Sequence, residues 1–180
     1  MKKRDTLVLS MALPVLLLSL SGEVFAADNH LIKPDQLIVD RGMTPDHRAM
    51  LETAARRYAT FWDTGNEALA RAALAVNFID KTPPEGRKQG LEGALLASRA
   101  FRTAVPDLRC EVEQMIIAGD RVVSHLHFRG HFTGTFGKLS GKGQSVDFIA
   151  TDIYQIEQGK ITANWHIEDN LTLMKQLGAL

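Results

Sequence analysis

Residues 147–169 read DFIATDIYQIEQGKITANWHIED, and the fold turns on how this stretch pairs with itself. Phe148 to Ile156 and Ile161 to Ile167 are each rich in apolar, β-branched and aromatic residues, the composition of paired strands. Glu157-Gln158-Gly159 lies between them, with glycine where a hairpin loop needs positive φ. Loop length sets which side chains share a face. A three-residue loop ending at Gly159 pairs Ile156 with Lys160 and puts Asp152 opposite Asn164. Tyr154, Asn164 and His166 then join Asp152 on one face. A two-residue loop, Gln158-Gly159, pairs Ile156 with Ile161 and separates Asp152 from His166, because a one-residue slip flips every side chain. The three-residue loop is the expected one. It gathers Ile153, Ile161, Trp165 and Ile167 on an apolar face and leaves the polar residues on a face that can line a pocket.

Strand patterns also fill the region before this hairpin. Cys110, Val112, Gln114 and Ile116 alternate with Glu111, Glu113 and Met115; Ala118-Gly119-Asp120 reads as a turn; Arg121 to Phe132 reads as a long strand. Residues 134–143 hold four glycines and predict a mobile loop, placed as a lid over a pocket mouth. Leu171 to Leu177 predicts one or two helical turns.

Helix signals come earlier. Thr44 is a good N-cap and Pro45 suits the first helical position. Met50, Ala54, Tyr58 and Phe61 then repeat at helical spacing until Gly65 breaks the run. Asn66 caps a short second helix to about Leu74, and Asn77 to Asp80 is a brief extended piece. A third helix runs from about Lys88 to Ala104 and ends at Val105-Pro106, since the residue before proline avoids the α region. Three helices followed by an antiparallel meander make an α+β domain over residues 44–180. A curved antiparallel sheet with helices on its concave side forms a cone that encloses a pocket.

Residues 1–26 stand outside this domain. Lys2-Lys3-Arg4 precedes an apolar run from Leu7 to Leu20, and Val24-Phe25-Ala26 precedes a cleavage point. This is the pattern of a secretory signal peptide, too short in its apolar core for a typical membrane span. A periplasmic or secreted product starting at Ala27 is expected, with a polar linker over 27–43 and no membrane association after signal removal.

Composition agrees with a soluble domain. The chain has 180 residues, 45% hydrophobic and 23% charged, with a formal net charge of +0. That balance offers no argument for nucleic acid as a partner. Cys110 is the sole cysteine, so no internal disulfide forms, and its place in the strand alternation reads as core.

From Tyr58 to Gly178 the order of short motifs resembles the SnoaL-like polyketide cyclase (ester cyclase) family of the nuclear transport factor 2-like superfamily. The pieces include Phe61-Trp62-Asp63-Thr64-Gly65-Asn66, Phe78-Ile79-Asp80-Lys81-Thr82-Pro83, Val105-Pro106-Asp107-Leu108-Arg109, Gly130-His131-Phe132-Thr133-Gly134, Asp152-Ile153-Tyr154, Trp165-His166-Ile167-Glu168-Asp169 and Gln176-Leu177-Gly178. The resemblance implies a cone-shaped α+β barrel with an apolar pocket. It also implies homo-oligomers and a cofactor-free intramolecular aldol condensation in which a carboxylate moves the proton. Two positions depart from the pattern. His166 follows the last-strand Trp where an acidic residue is common, and Lys81 stands where relatives carry His.

His125, His127 and His131 share a strand face with Arg129, in the order His-x-His-x-Arg-x-His. A divalent-metal site is the sharp reading of this row. The absent second half of such a motif and the neighbouring guanidinium favour a pocket wall or solvated face, with no metal. Residues 134–143 lack a phosphate-loop ending, so no nucleotide cofactor is expected either.

Two function classes remain open. One is a cofactor-free enzyme working by proton transfer on a small apolar carbonyl or ester compound. Its catalytic pair is Asp152 and His166, the carboxylate orienting an imidazole poised to take a proton near neutral pH. Tyr154, Asn164, His131 and Trp62 are the expected substrate-binding residues. The other class is a non-catalytic binding protein that uses the same pocket. For either, apolar residues on the opposite sheet face predict a homodimer or higher even oligomer.

Overall fold

The computed structural model describes Asp28 and residues 30–180. The expected signal segment lies outside the described residues. Among the described residues, four helices and eight strands follow in the order β1 (Gln36–Val39), α1 (Pro45–Thr64), α2 (Glu67–Ala73), β2 (Leu74–Asp80), α3 (Gly90–Ala104), β3 (Arg109–Ala118), β4 (Arg121–Phe132), β5 (Thr135–Phe136), β6 (Leu139–Ser140), β7 (Gln144–Glu157), β8 (Lys160–Glu168) and α4 (Asn170–Leu177).

The helix ends follow from local chemistry. Thr44 caps α1 by accepting from the His47 amide at 3.3 Å, with Pro45 at the first position, and Gly65 ends it at φ 74°. Asn66 caps α2 through the Ala68 amide at 3.1 Å. Asp169 caps α4 through the Thr172 amide at 3.0 Å.

Six strands form one sheet in the order β1-β3-β4-β7-β8-β2. The four central strands are antiparallel, as the sequence predicts. Both edges are parallel instead: β1 runs alongside β3 and β2 alongside β8. The segment expected to be a linker over 27–43 thus supplies an edge strand. Four residues are too few for periodicity to reveal a strand whose partner lies 78 positions away, as Gln36 does from Gln114.

Alternation divides the sheet into two faces. On β7, Val146, Phe148, Ala150, Asp152, Tyr154 and Ile156 are buried, while the residues between them are exposed or half-buried. The inner face packs on α1 through Leu51, Ala54, Ala55, Tyr58 and Phe61. The helix α4 is pinned to β7 by Gln176, whose side chain bonds the Asp147 amide at 2.9 Å and carbonyl at 2.7 Å.

The glycine-rich segment is not the open loop expected. The strands β5 and β6 form a small hairpin tied to the body by Gly134 N to Ala104 O (2.9 Å) and Gly143 N to Phe132 O (2.8 Å). A Cβ on Gly134 would meet Thr103 O at 1.8 Å, and one on Gly141 would meet Phe132 O at 2.3 Å. These glycines allow close backbone approach rather than motion.

Candidate active site

The turn between β7 and β8 has two residues, Gln158 (φ 50°) and Gly159 (φ 74°). Positive φ at both central residues matches the twist of the flanking strands, the preference of two-residue hairpins. Ile156 therefore pairs with Ile161, the register the sequence reading set aside. Ile161 turns inward and is fully buried, not on the outer apolar face expected for it.

This register would separate Asp152 from His166 had β8 remained regular. It does not. Gln155 pairs with Ala163, so Thr162 is an extra residue, a β-bulge whose hydroxyl donates to Gln155 O at 3.3 Å. The bulge restores the phase. Beyond it Tyr154 lies opposite Asn164 and Asp152 directly opposite His166, two positions away from the partner expected for Asp152.

Asp152 is 1% exposed and accepts three hydrogen bonds. Asn164 Nδ2 donates to Oδ1 at 2.7 Å, His166 Nδ1 stands 2.9 Å from the same oxygen, and Tyr154 Oη donates to Oδ2 at 2.9 Å. A carboxylate offers about four lone-pair directions. Both on Oδ1 are taken, leaving one on Oδ2.

His166 makes a second contact that the sequence reading missed. Its Nε2 stands 3.2 Å from Glu168 Oε2. Glu168 is two residues along the same strand, so period-two alternation was the available signal. Burial alone would lower the imidazole pKa, but hydrogen bonds to Asp152 and Glu168, with their charges, outweigh it and raise it to about 10. His166 is therefore an imidazolium at neutral pH and not the base expected of it. Thr82 holds its backbone: the hydroxyl accepts from His166 N at 2.7 Å and donates to His166 O at 2.9 Å.

Asp152, Asn164, His166 and Glu168 border a cavity of about 760 Å³, within the range of small-molecule sites. Much of the remaining lining is aromatic. Phe128 and Phe148 stack at 5.1 Å, Phe101 meets Phe148 edge-on at 5.8 Å, and Trp62 meets Phe128 edge-on at 6.4 Å. Phe136, from the small hairpin, also lines it. Tyr58 enters from α1, and its helical spacing had marked it only as core.

Of the expected binding residues, Asn164 and Trp62 line the cavity. Tyr154 lies on the inner face beneath it, with no exposed surface, and serves Asp152. His131 does not approach it. It is on the outer face, its Nδ1 2.7 Å from Asp107. Val122, Leu126, Phe128 and Phe132 occupy the alternate, inward positions of β4, and that pattern carried the information. The other histidines of the row are bound to outer-face partners: His127 lies 2.7 Å from Glu113 and 2.6 Å from Asp147, and His125 lies 2.9 Å from Thr151. Among the described residues no three His, Cys, Asp or Glu side chains are placed to hold a metal ion.

Residues 52–177 match the family model described as SnoaL-like polyketide cyclase. A candidate polyketide cyclase from Bacillus cereus ATCC 10987 is 38% identical, with a TM-score of 0.77 over 84% of this chain and 95% of that one. TsrD from Streptomyces laurentii is 26% identical, TM-score 0.67, over 74% and 98%. A candidate SnoaL-like polyketide cyclase from Jannaschia sp. CCS1, 22% identical with a TM-score of 0.64 over 77% and 97%, shares the fold. No curated protein matches the chain.

Proposed function

The chain belongs to the SnoaL-like polyketide cyclase family, and from that premise we propose an exported, cofactor-free acid/base enzyme acting on a small apolar carbonyl or ester compound. The observation that carries this reading is Asp152: a buried carboxylate at an aromatic-walled cavity, with three fixed donors and one lone-pair direction left on Oδ2.

Such a group suits proton abstraction from carbon. Asp152 takes a proton α to the substrate carbonyl; the C–H electron pair becomes the enolate double bond, and the carbonyl π pair moves to oxygen. The enolate carbon attacks a second carbonyl of the same molecule and closes a ring. The alkoxide formed there recovers the proton from Asp152, so the carboxylate is regenerated and no redox partner is needed. The His166 imidazolium, held by Glu168, keeps positive charge beside Asp152 in both protonation states. Asn164 fixes the carboxylate orientation. The aromatic wall excludes water that would quench the carbanion. Export rests on the basic and apolar pattern of residues 1–26.

The test has two stages. Mass spectrometry of small molecules that co-purify with the mature protein identifies the occupant. Turnover of that compound, or of its open-chain precursor, is then compared in wild type and Asp152→Asn. The expected loss is ~10²–10⁴-fold, the usual worth of a positioned base. A folded Asp152→Asn protein with full turnover, or an occupant recovered unchanged from wild type, leaves a binding protein instead.

A further inference from the structure

Two tyrosines stand beside Asp152, and they spend their hydroxyls differently. Tyr154 is fully buried and donates to Asp152 Oδ2 at 2.9 Å. Tyr58, whose ring meets that of Tyr154 edge-on at 5.8 Å, borders the cavity. Its hydroxyl donates to no group among the described residues, and its ring meets that of Trp62 edge-on at 6.2 Å. Burial first, and the Asp152 charge second, push the phenol pKa upward, so it keeps its proton. The result is a neutral phenol with an unused proton at the edge of the cavity.

We propose that Tyr58 is a further catalytic residue, whose hydroxyl donates to the substrate carbonyl oxygen and holds the enolate oxygen formed when Asp152 removes the α-proton. The assignment rests on the acid/base reading of Asp152. It supplies a neutral donor for the oxygen on which proton abstraction puts a full charge, since the Asn164 amide and both His166 ring nitrogens at the cavity are turned to Asp152 and Glu168. A fixed donor at the oxygen where charge develops costs no reorganisation during the reaction. Tyr58 is set for this by Phe61, stacked on it at 5.8 Å, and by Tyr154. The Tyr154 hydroxyl, committed to the base, cannot serve the same oxygen.

The contact can be tested without the natural substrate. The probe is 2-naphthol, a planar apolar alcohol whose oxygen mimics an enolate and whose proton Asp152 can accept. Binding to wild type, Tyr58→Phe and Asp152→Asn is read from naphthol fluorescence, with folding checked by circular dichroism. The expectation is that Tyr58→Phe weakens binding on the order of tenfold, the worth of one hydrogen bond. Should Tyr58→Phe fail to fold, wild-type affinity for 2-naphthol against 2-methylnaphthalene, which has the same shape and no hydroxyl, carries the test. Equal affinity in wild type and the folded tyrosine variant overturns the proposal, as does equal affinity of wild type for the two probes or failure of wild type to bind. Loss in Asp152→Asn alone also rejects Tyr58 while sparing the base. Loss in Tyr58→Phe with full affinity in Asp152→Asn keeps the donor and removes the base.

Discussion

The imidazole of His166 lies between two carboxylates, with Nδ1 2.9 Å from Asp152 Oδ1 and Nε2 3.2 Å from Glu168 Oε2. Each ring nitrogen of the imidazolium has an acceptor, and the pKa rises from 6.5 to about 10 despite burial. A pKa raised in the folded state stabilises the fold fully below the unfolded value and progressively less as pH rises to the folded one. The stabilisation from His166 is thus complete below about 6.5, declines above it and is gone past about 10. NMR titration of the His166 ring should find its transition well above pH 8, and Glu168→Gln should move it down. A transition near 6.5 in wild type would remove the imidazolium from the site.

The bulge at Thr162 makes a second, structural prediction. Thr162 is the residue without a partner, so deleting it removes the bulge and leaves every pair in place: Ile156 with Ile161, Gln155 with Ala163, Tyr154 with Asn164 and Asp152 with His166. The deletion protein should fold and keep the high His166 titration. Thr162→Ala retains the extra residue and loses one 3.3 Å bond, so its cost should stay within ~1 kcal/mol. A folded deletion protein without the high His166 titration would show that the bulge itself, and not the pairing beyond it, holds the site.

The outer face bears on assembly. Ile149, Ile153 and Ile167 are 42%, 40% and 74% exposed, on neighbouring strands. Trp165 beside them lies under the cations of Lys81 and Arg121, 6.0 and 5.8 Å from its ring. A homodimer or higher even oligomer using this face should bury ~1,200–2,000 Å² or more in total. Sedimentation should give a dimer or larger species at micromolar concentration for wild type and a smaller one for Ile167→Glu. A monomeric wild type would count against this face as an interface.

Export is checked by the mature N-terminus. Sequencing the protein recovered from the periplasm or medium should begin at or near Ala27. An intact Met1 on that material would contradict cleavage.

Much of this protein is local, and what is local could be read in the chain. Thr44-Pro45, Gly65 and Asn66 set helix ends because capping groups act within one turn of themselves. The period-two pattern of β7 put Asp152 on an inner face because alternate side chains cannot do otherwise. The ordered motifs around Trp62, Asp152 and His166 were enough to point to the family. Tertiary structure decided the rest, in each case through a partner distant in sequence or a geometry that composition does not encode. Gln36–Val39 became a strand because β3 offered an open edge. His131 faced outward because the apolar half of β4 met the helices. Two tyrosines of like composition parted because one is closed off behind Asp152 and the other borders space. His166 became a cation because the fold placed Asp152 against one nitrogen and Glu168 against the other in a buried setting. Thr162 decided the site itself: one unpaired residue kept two strands in phase, and strand phase is set by pairing energy along the whole hairpin rather than by its loop.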